Sequence, residues 1–178
     1  MISHEAFVKA LMEQLPSLRR YATALVGNAA LADDLVQDSI ERALRRSEQL
    51  RELQLLPAWL RRILHNLYID ERRRARSRGT QQDIMELADH LELSVPAQDR
   101  AAAHDFVNAV NALSVEHRQI LLLVGLEDLS YREIADELSV PVGTVMSRLA
   151  RARVRLRELM EGGLTQKVVA FPSPKEES

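Results

Sequence analysis

At 178 residues the chain has room for one ordinary domain or two small ones, and 24 Lys+Arg against 26 Asp+Glu leave a net charge of −2, so its overall charge points to no polyanionic partner. Cysteine is absent, which excludes disulfides and thiolate-ligated metals such as a zinc finger and suits the cytoplasm. No apolar run reaches the ~18–20 residues of a membrane span, and the N-terminus MISHEAFVKALMEQL is unlike a signal peptide, so a soluble cytoplasmic protein without membrane insertion is expected.

Only six glycines, no sustained β-branched alternation and a predominance of Leu, Ala, Arg and Glu give the profile of an all-α chain. In residues 4–26, Phe7, Leu11, Leu15, Leu18, Ala22 and Leu25 recur at helical spacing, with Pro16 in the middle admitting either one kinked helix or two. Gly27 and Asn28 end it. A second amphipathic helix over 30–46 places Leu31, Leu35, Ile40, Ala43 and Leu44 inward. Its exposed side runs from Asp33, Asp34, Asp38 and Glu41 to Arg42, Arg45 and Arg46, as the helix dipole favours; taken alone, this is an ordinary surface helix.

After a polar connector over 47–56, Pro57 opens a third helix running to about residue 78, with Trp59, Leu60, Ile63, Leu64, Leu67 and Tyr68 as its buried side. Between Pro57 and Thr80, seven arginines (61, 62, 72, 73, 74, 76, 78) oppose only Asp70 and Glu71. Residues 79–103 reverse the sign. There Asp83, Glu86, Asp89, Glu92 and Asp99 face only Arg100, and Gly79, Ser94 and Pro96 punctuate a flexible acidic linker with room for a marginal helix over 84–93. The predicted organisation is therefore two small helical domains, 1–78 and 104–161, joined by the 79–103 linker and followed by a disordered tail, 162–178.

The second domain starts with an amphipathic helix carrying Phe106, Val107, Val110, Ala112 and Leu113. Ser114 begins another, apolar on nearly every side over residues 120–124 and capped by Gly125, which makes it the central helix of that domain. Ser130 and Glu133 then form a capping box for a helix from Tyr131 over Ile134, Ala135 and Leu138, broken by residues 139–141. A last helix from Val142 sets Val145, Leu149, Ala152, Leu156 and Leu159 on one side, and Thr144, Met146, Ser147, Arg148, Arg151 and Arg155 elsewhere. A short helix, a tight turn and a longer basic helix are the helix-turn-helix arrangement, whose second helix enters the DNA major groove. Between Gly143 and Arg157 stand five arginines and no acid, an asymmetry that calls for a polyanion more than for solubility.

Catalytic chemistry finds no residues. The histidines (4, 65, 90, 104, 117) form no metal-binding pair at helix spacing, the glycines no phosphate loop, and no serine lies in a GxSxG turn. Neighbouring carboxylates such as Asp33 and Asp34 diverge by about 100° on a helix, which suits solvation rather than acid-base pairing. No enzyme, cofactor or metal site is therefore expected.

Three segments in this order, ADDLVQDSIERAL (32–44), WLRRILHNLYIDERRR (59–74) and LSYREIADELSVPVGTVMSRLARARVRL (129–156), closely resemble bacterial extracytoplasmic-function sigma factors, which keep only regions two and four of the housekeeping sigma superfamily. The resemblance covers about 5–78 and 104–160. It implies a transcription initiation factor that binds core RNA polymerase, directs it to promoters and helps open the DNA. Asp34, Leu35, Gln37 and Asp38 would then dock on the clamp coiled coil of the largest polymerase subunit. Arg62, Asn66, Arg72, Arg73 and Arg74 would meet the minus-ten element, Asn66 on the unpaired strand and the arginine triplet on phosphates, while the 47–56 connector would line a base pocket. Trp59 is read as core rather than as a stacking platform.

By the same resemblance, Thr144, Met146, Ser147, Arg148, Arg151 and Arg155 would bind the minus-thirty-five element, the apolar helix around 121–126 would face the flap of the second-largest subunit, the linker would thread the polymerase interior, and an anti-sigma factor would hold the protein inactive. The motif departs from its common form at Met146, where a basic residue is usual, and at Ala150, where a larger one is; methionine cannot donate to a guanine edge. The alternative reading is a stand-alone helix-turn-helix regulator whose N-terminal domain dimerises or senses.

Overall fold

The computed structural model describes residues 2–77 and 100–161; residues 79–99 of the expected 79–103 linker, its marginal helix and the tail over 162–178 lie outside the described residues. The chain divides into two compact units, Met1–Ile84 and Met85–Ser178, and every regular element among the described residues is helical.

The first unit packs three helices against one another: α1 (His4–Val26), α2 (Ala29–Arg45) and α3 (Leu56–Ser77). Ser3 caps α1 by accepting the Ala6 N–H at 3.2 Å. The helix runs through Pro16 without a break. Pro16 is exposed, so the carbonyl that loses its helical donor there lies on the side open to water. Gly27 ends α1 in the left-handed region (φ 78°), and its N–H reaches Thr23 O at 2.9 Å. A side chain with a Cβ would be strained in that conformation. Asn28 immediately caps α2 through Leu31 N–H at 2.8 Å, so the reversal between the helices takes two residues.

The core of this unit joins Phe7, Leu11, Leu18, Ala22 and Leu25 to Leu35, Val36, Ala43, Leu60, Leu64 and Tyr68, all buried. Full burial of each large apolar side chain contributes about 1.5–3 kcal/mol before the entropy of ordering is charged against it. Two positions depart from the helical-wheel expectation. Leu44 is 39% exposed, while Ser39 is fully buried and satisfies its hydroxyl by donating to Leu35 O at 2.6 Å. The connector between α2 and α3 forms two 3-10 turns, Ser47–Gln49 and Leu53–Leu55, pinned by buried Leu50.

The second unit contains α4 (Arg100–Asn111), α5 (Val115–Gly125), α6 (Tyr131–Leu138) and α7 (Val142–Glu161). Helix α4 starts at Arg100, four residues before the expected domain boundary, because the Arg-Ala-Ala-Ala sequence of 100–103 consists of strong helix formers and propagates the helix backwards. Ser114 caps α5 through His117 N–H at 3.3 Å. Gly125 is the last residue of α5 rather than a left-handed cap; the cap is Leu126, whose N–H bonds Leu122 O at 2.8 Å, and the left-handed residue of the following turn is Asp128.

A buried arginine organises this unit. Arg118, on α5, is 1% exposed; its Nε donates to Val110 O at 3.1 Å and its Nη2 to Asn111 O and, at 3.4 Å, to Leu113 O. These carbonyls belong to the C-terminal end of α4 and the turn after it, where a helix leaves acceptors unsatisfied and carries partial negative charge. The guanidinium fork thus fixes the α4–α5 corner. Around it, Val107, Val110, Leu113, Ile120, Leu123, Ile134, Val145, Leu149 and Leu156 close the core.

Candidate nucleic-acid interface

In the second unit the helix-turn-helix forms as the capping box requires. Ser130 Oγ accepts Glu133 N–H at 3.3 Å, and Ser130 N–H donates to Glu133 Oε2 at 2.8 Å. Helix α6 ends at Ser139 in the left-handed region (φ 54°, ψ 47°), and Val140 N–H returns to Ala135 O at 3.0 Å. The Pro141 carbonyl then accepts the N–H groups of Thr144 and Val145 at 2.8 and 3.2 Å, which starts α7 with three residues separating it from α6.

Val145, Leu149, Ala152 and Leu156 bury one strip of α7 against α4, α5 and α6. At about 100° per residue, Thr144, Ser147, Arg148, Arg151 and Arg155 share an arc of roughly 100° beside that strip. Two of these side chains are linked: Arg151 Nη2 donates to Ser147 Oγ at 3.3 Å and its Nε to Ser147 O at 3.2 Å, while Ser147 Oγ donates to the Thr144 backbone carbonyl at 3.1 Å. Arg155 is tied instead to Glu158, 2.9 Å away. Met146 does not join this group. It is 54% exposed and stands about 140° around the axis from Arg151.

In the first unit, Arg62, Asn66 and Arg73 fall within about 40° of one another on the outward side of α3, and all three are exposed. Arg72 turns away from them: its guanidinium lies 5.9 Å from the Tyr68 ring centroid, with Nη1 3.4 Å from the Tyr68 hydroxyl. Arg73 and Arg74 carry local partners, Asp70 at 4.0 Å and Glu71 at 3.6 Å. Arg61 is buried at 8% exposure and leaves the basic patch altogether. Trp59 meets Phe7 edge-to-face at a 6.4 Å centroid separation, a contact between α1 and α3.

Of the α2 residues singled out for docking, Asp34, Gln37 and Asp38 are exposed and Leu35 is not. Leu35 is 4% exposed and faces the bundle core, since a residue one step from Asp34 is rotated about 100° from it; it supports the face without belonging to it. Residues 121–126, at the end of α5 and its cap, divide evenly: Leu121, Leu123 and Val124 are buried in the core, while Leu122, Gly125 and Leu126 retain access to solvent. Sequence reasoning missed Arg118, which stands between His117 and Gln119 just before the apolar run 120–124, where nothing in the sequence separates it from a surface cation. No group of His, Asp or Glu suited to a metal ion occurs among the described residues.

This arrangement has close parallels. Residues 103–156 match the family model of sigma-70 region 4, and residues 11–65 that of the sigma2 domain of PhyR. A relative named ECF RNA polymerase sigma factor EcfG, from Rhodopseudomonas palustris, is 34% identical over 84% of this chain and 82% of its own length. The chain belongs to the ECF RNA polymerase sigma factors. Another member of the family, SigL of Mycobacterium tuberculosis, is 35% identical over 90% of this sigma factor and 93% of its own length. Among solved structures, the sigma factor RpoE of Bartonella quintana, crystallised in complex with the anti-sigma factor NepR, superposes with a TM-score of 0.70 at 34% identity, covering 87% of this sigma factor and 96% of that chain. The two family-model matches fall one in each compact unit, the sigma2 match within the unit of α1–α3 and the sigma-70 region 4 match within the unit of α4–α7.

Proposed function

We propose that this sigma factor binds core RNA polymerase through α2 and the region-four module, directs it to promoters whose upstream element is read by α7, and assists opening of the minus-ten element through α3. The observation that carries this reading is the capped helix-turn-helix, with a second helix that has five arginines and no acid between 143 and 157, in a chain of net charge −2. Arg148 and Arg155 supply phosphate anchoring and Ser147 and Arg151 the base-edge contacts. In α3, Arg62, Asn66 and Arg73 present a cationic, hydrogen-bonding face of the kind that tracks an unpaired strand. Asp34, Gln37 and Asp38 form the polymerase-docking face, with Leu35 beneath it.

The protein acts in the cytoplasm, as transcription requires, and performs no catalysis itself. An anti-sigma factor is its natural antagonist, as NepR is found with the RpoE neighbour. No helix among the described residues is long and apolar enough to cross a membrane. In-vitro transcription with core polymerase tests the reading: promoter-specific initiation appears only when this protein is added, and the protein alone binds promoter duplex weakly. Tight operator binding without polymerase, and no initiation with it, would make it a stand-alone regulator instead.

A further inference from the structure

Helix α7 carries a second surface that its arginines do not account for. Val142, Met146 and Val154 are 38%, 54% and 51% exposed, and Ala150 between them is exposed too. Single exposed apolar residues are ordinary. These four stand at i, i+4, i+8 and i+12, so they form one continuous row that winds slowly, about 40° per step, across the outward side of the helix. Gly143, in the first turn, adjoins the row; a Cβ there would meet nothing of the protein within 4 Å, so packing does not explain why so poor a helix former occupies this position. The row is flanked by Ser147 and Arg151 on one side and by Arg153 and Arg157 on the other, with no acid from 143 to 157.

An apolar row hemmed by cations fits a partner that is polyanionic outside and carries apolar groups inside. Duplex DNA meets both conditions at one place, the thymine 5-methyl group on the floor of the major groove. The N-terminal half of a recognition helix is the part that reaches base edges. Met146 is unbranched and adaptable, with reach enough to touch a methyl, while Gly143 and Ala150 keep the helix surface low enough for close approach. We infer that Met146, with Ala150 beside it, is a specificity-determining residue of this sigma factor that selects thymine in the upstream promoter element through its methyl group, in place of the guanine contact a basic residue would make. This rests on the promoter reading proposed above.

The test selects upstream elements from a randomised pool with the reconstituted holoenzyme, then replaces each enriched thymine by uracil, which deletes only the methyl. Thymine is enriched at one position or two adjacent ones, and uracil there weakens promoter binding by about four-fold, the equivalent of one buried methyl-sized group. With Met146→Ala the thymine–uracil difference disappears, and with Met146→Leu it persists. Enrichment of an element without thymine, or an equal uracil effect in wild type and Met146→Ala, overturns the methyl contact while leaving the promoter reading intact. A holoenzyme that enriches no upstream element overturns both. Preferential binding of an acidic, apolar helical peptide along the row, with no uracil effect, would assign the surface to a protein partner and overturn the inference.

Discussion

Arg19 of α1 holds Asp33 of α2 by two contacts, Nε to Oδ1 at 2.7 Å and Nη2 to Oδ2 at 2.8 Å. This two-point grip clamps the start of α2 onto α1 and withdraws Asp33 from the acidic run that continues through Asp34 and Asp38. The two neighbouring aspartates therefore separate in role. Asp33→Asn should cost no more than about 1 kcal/mol in denaturant unfolding, as for exposed pairs generally, and leave polymerase binding nearly unchanged. Asp34→Lys or Gln37→Ala should leave stability unchanged and lower core-polymerase affinity at least ten-fold, as read by fluorescence anisotropy of a labelled protein.

Arg118→Ala removes the fork that satisfies three carbonyls at the α4–α5 corner. In a small unit, where a single core supplies only a few kcal/mol, a loss of about 3 kcal/mol is expected, because truncation takes the guanidinium donors from Asn111 O and Leu113 O, while Val110 O keeps the Leu113 N–H. Arg118→Lys should recover only part of it, since an ammonium cannot span the same acceptors. Urea unfolding, followed by circular dichroism, distinguishes the three proteins.

Ser130→Ala removes the hydroxyl that accepts Glu133 N–H, leaving only the backbone half of the capping box, and should destabilise α6 by about 1 kcal/mol. DNA contacts made by α7 are untouched directly, so any loss of promoter affinity should vanish on cooling or on adding a stabilising osmolyte. A deficit that persists under those conditions would place Ser130 itself against the DNA.

Arg151→Ala should cost roughly 1–3 kcal/mol at one base position if the Ser147-braced guanidinium reads a base edge. A uniform loss across promoter variants would make it a phosphate contact. Arg155 offers the contrasting case, because Glu158 already holds it at 2.9 Å. Glu158→Gln should release it and steepen the salt dependence of promoter binding by about one unit of slope.

The helices and most of their limits were legible in the chain because local rules agree with one another there: Ser130 with Glu133, Gly27 with Asn28, and Pro57 in the first turn of α3 each punctuate an amphipathic run. What was not legible depends on which way a side chain faces after packing. Leu35 lies within the acidic segment yet inside the bundle, and Arg61 carries a charge counted in the basic patch yet is buried. Arg118 reads as a surface cation in sequence, and its acceptors arrive only when α4 ends beside it. Met146 shares a segment with Arg148 and Arg151 but not their side of the helix, a distinction that requires the position of the buried strip.

The turn between α6 and α7 closes on Ser139 at φ 54°, a conformation in which a Cβ is crowded and glycine is not. The protein thus carries a small stored cost in the turn of its helix-turn-helix, outside the α7 arc of Ser147, Arg148 and Arg151. Ser139→Gly should therefore recover up to about 1 kcal/mol without altering which promoters are chosen. For anyone retuning promoter choice at position 146, that makes position 139 a separate dial: a source of spare stability against which riskier changes on the reading face can be tried.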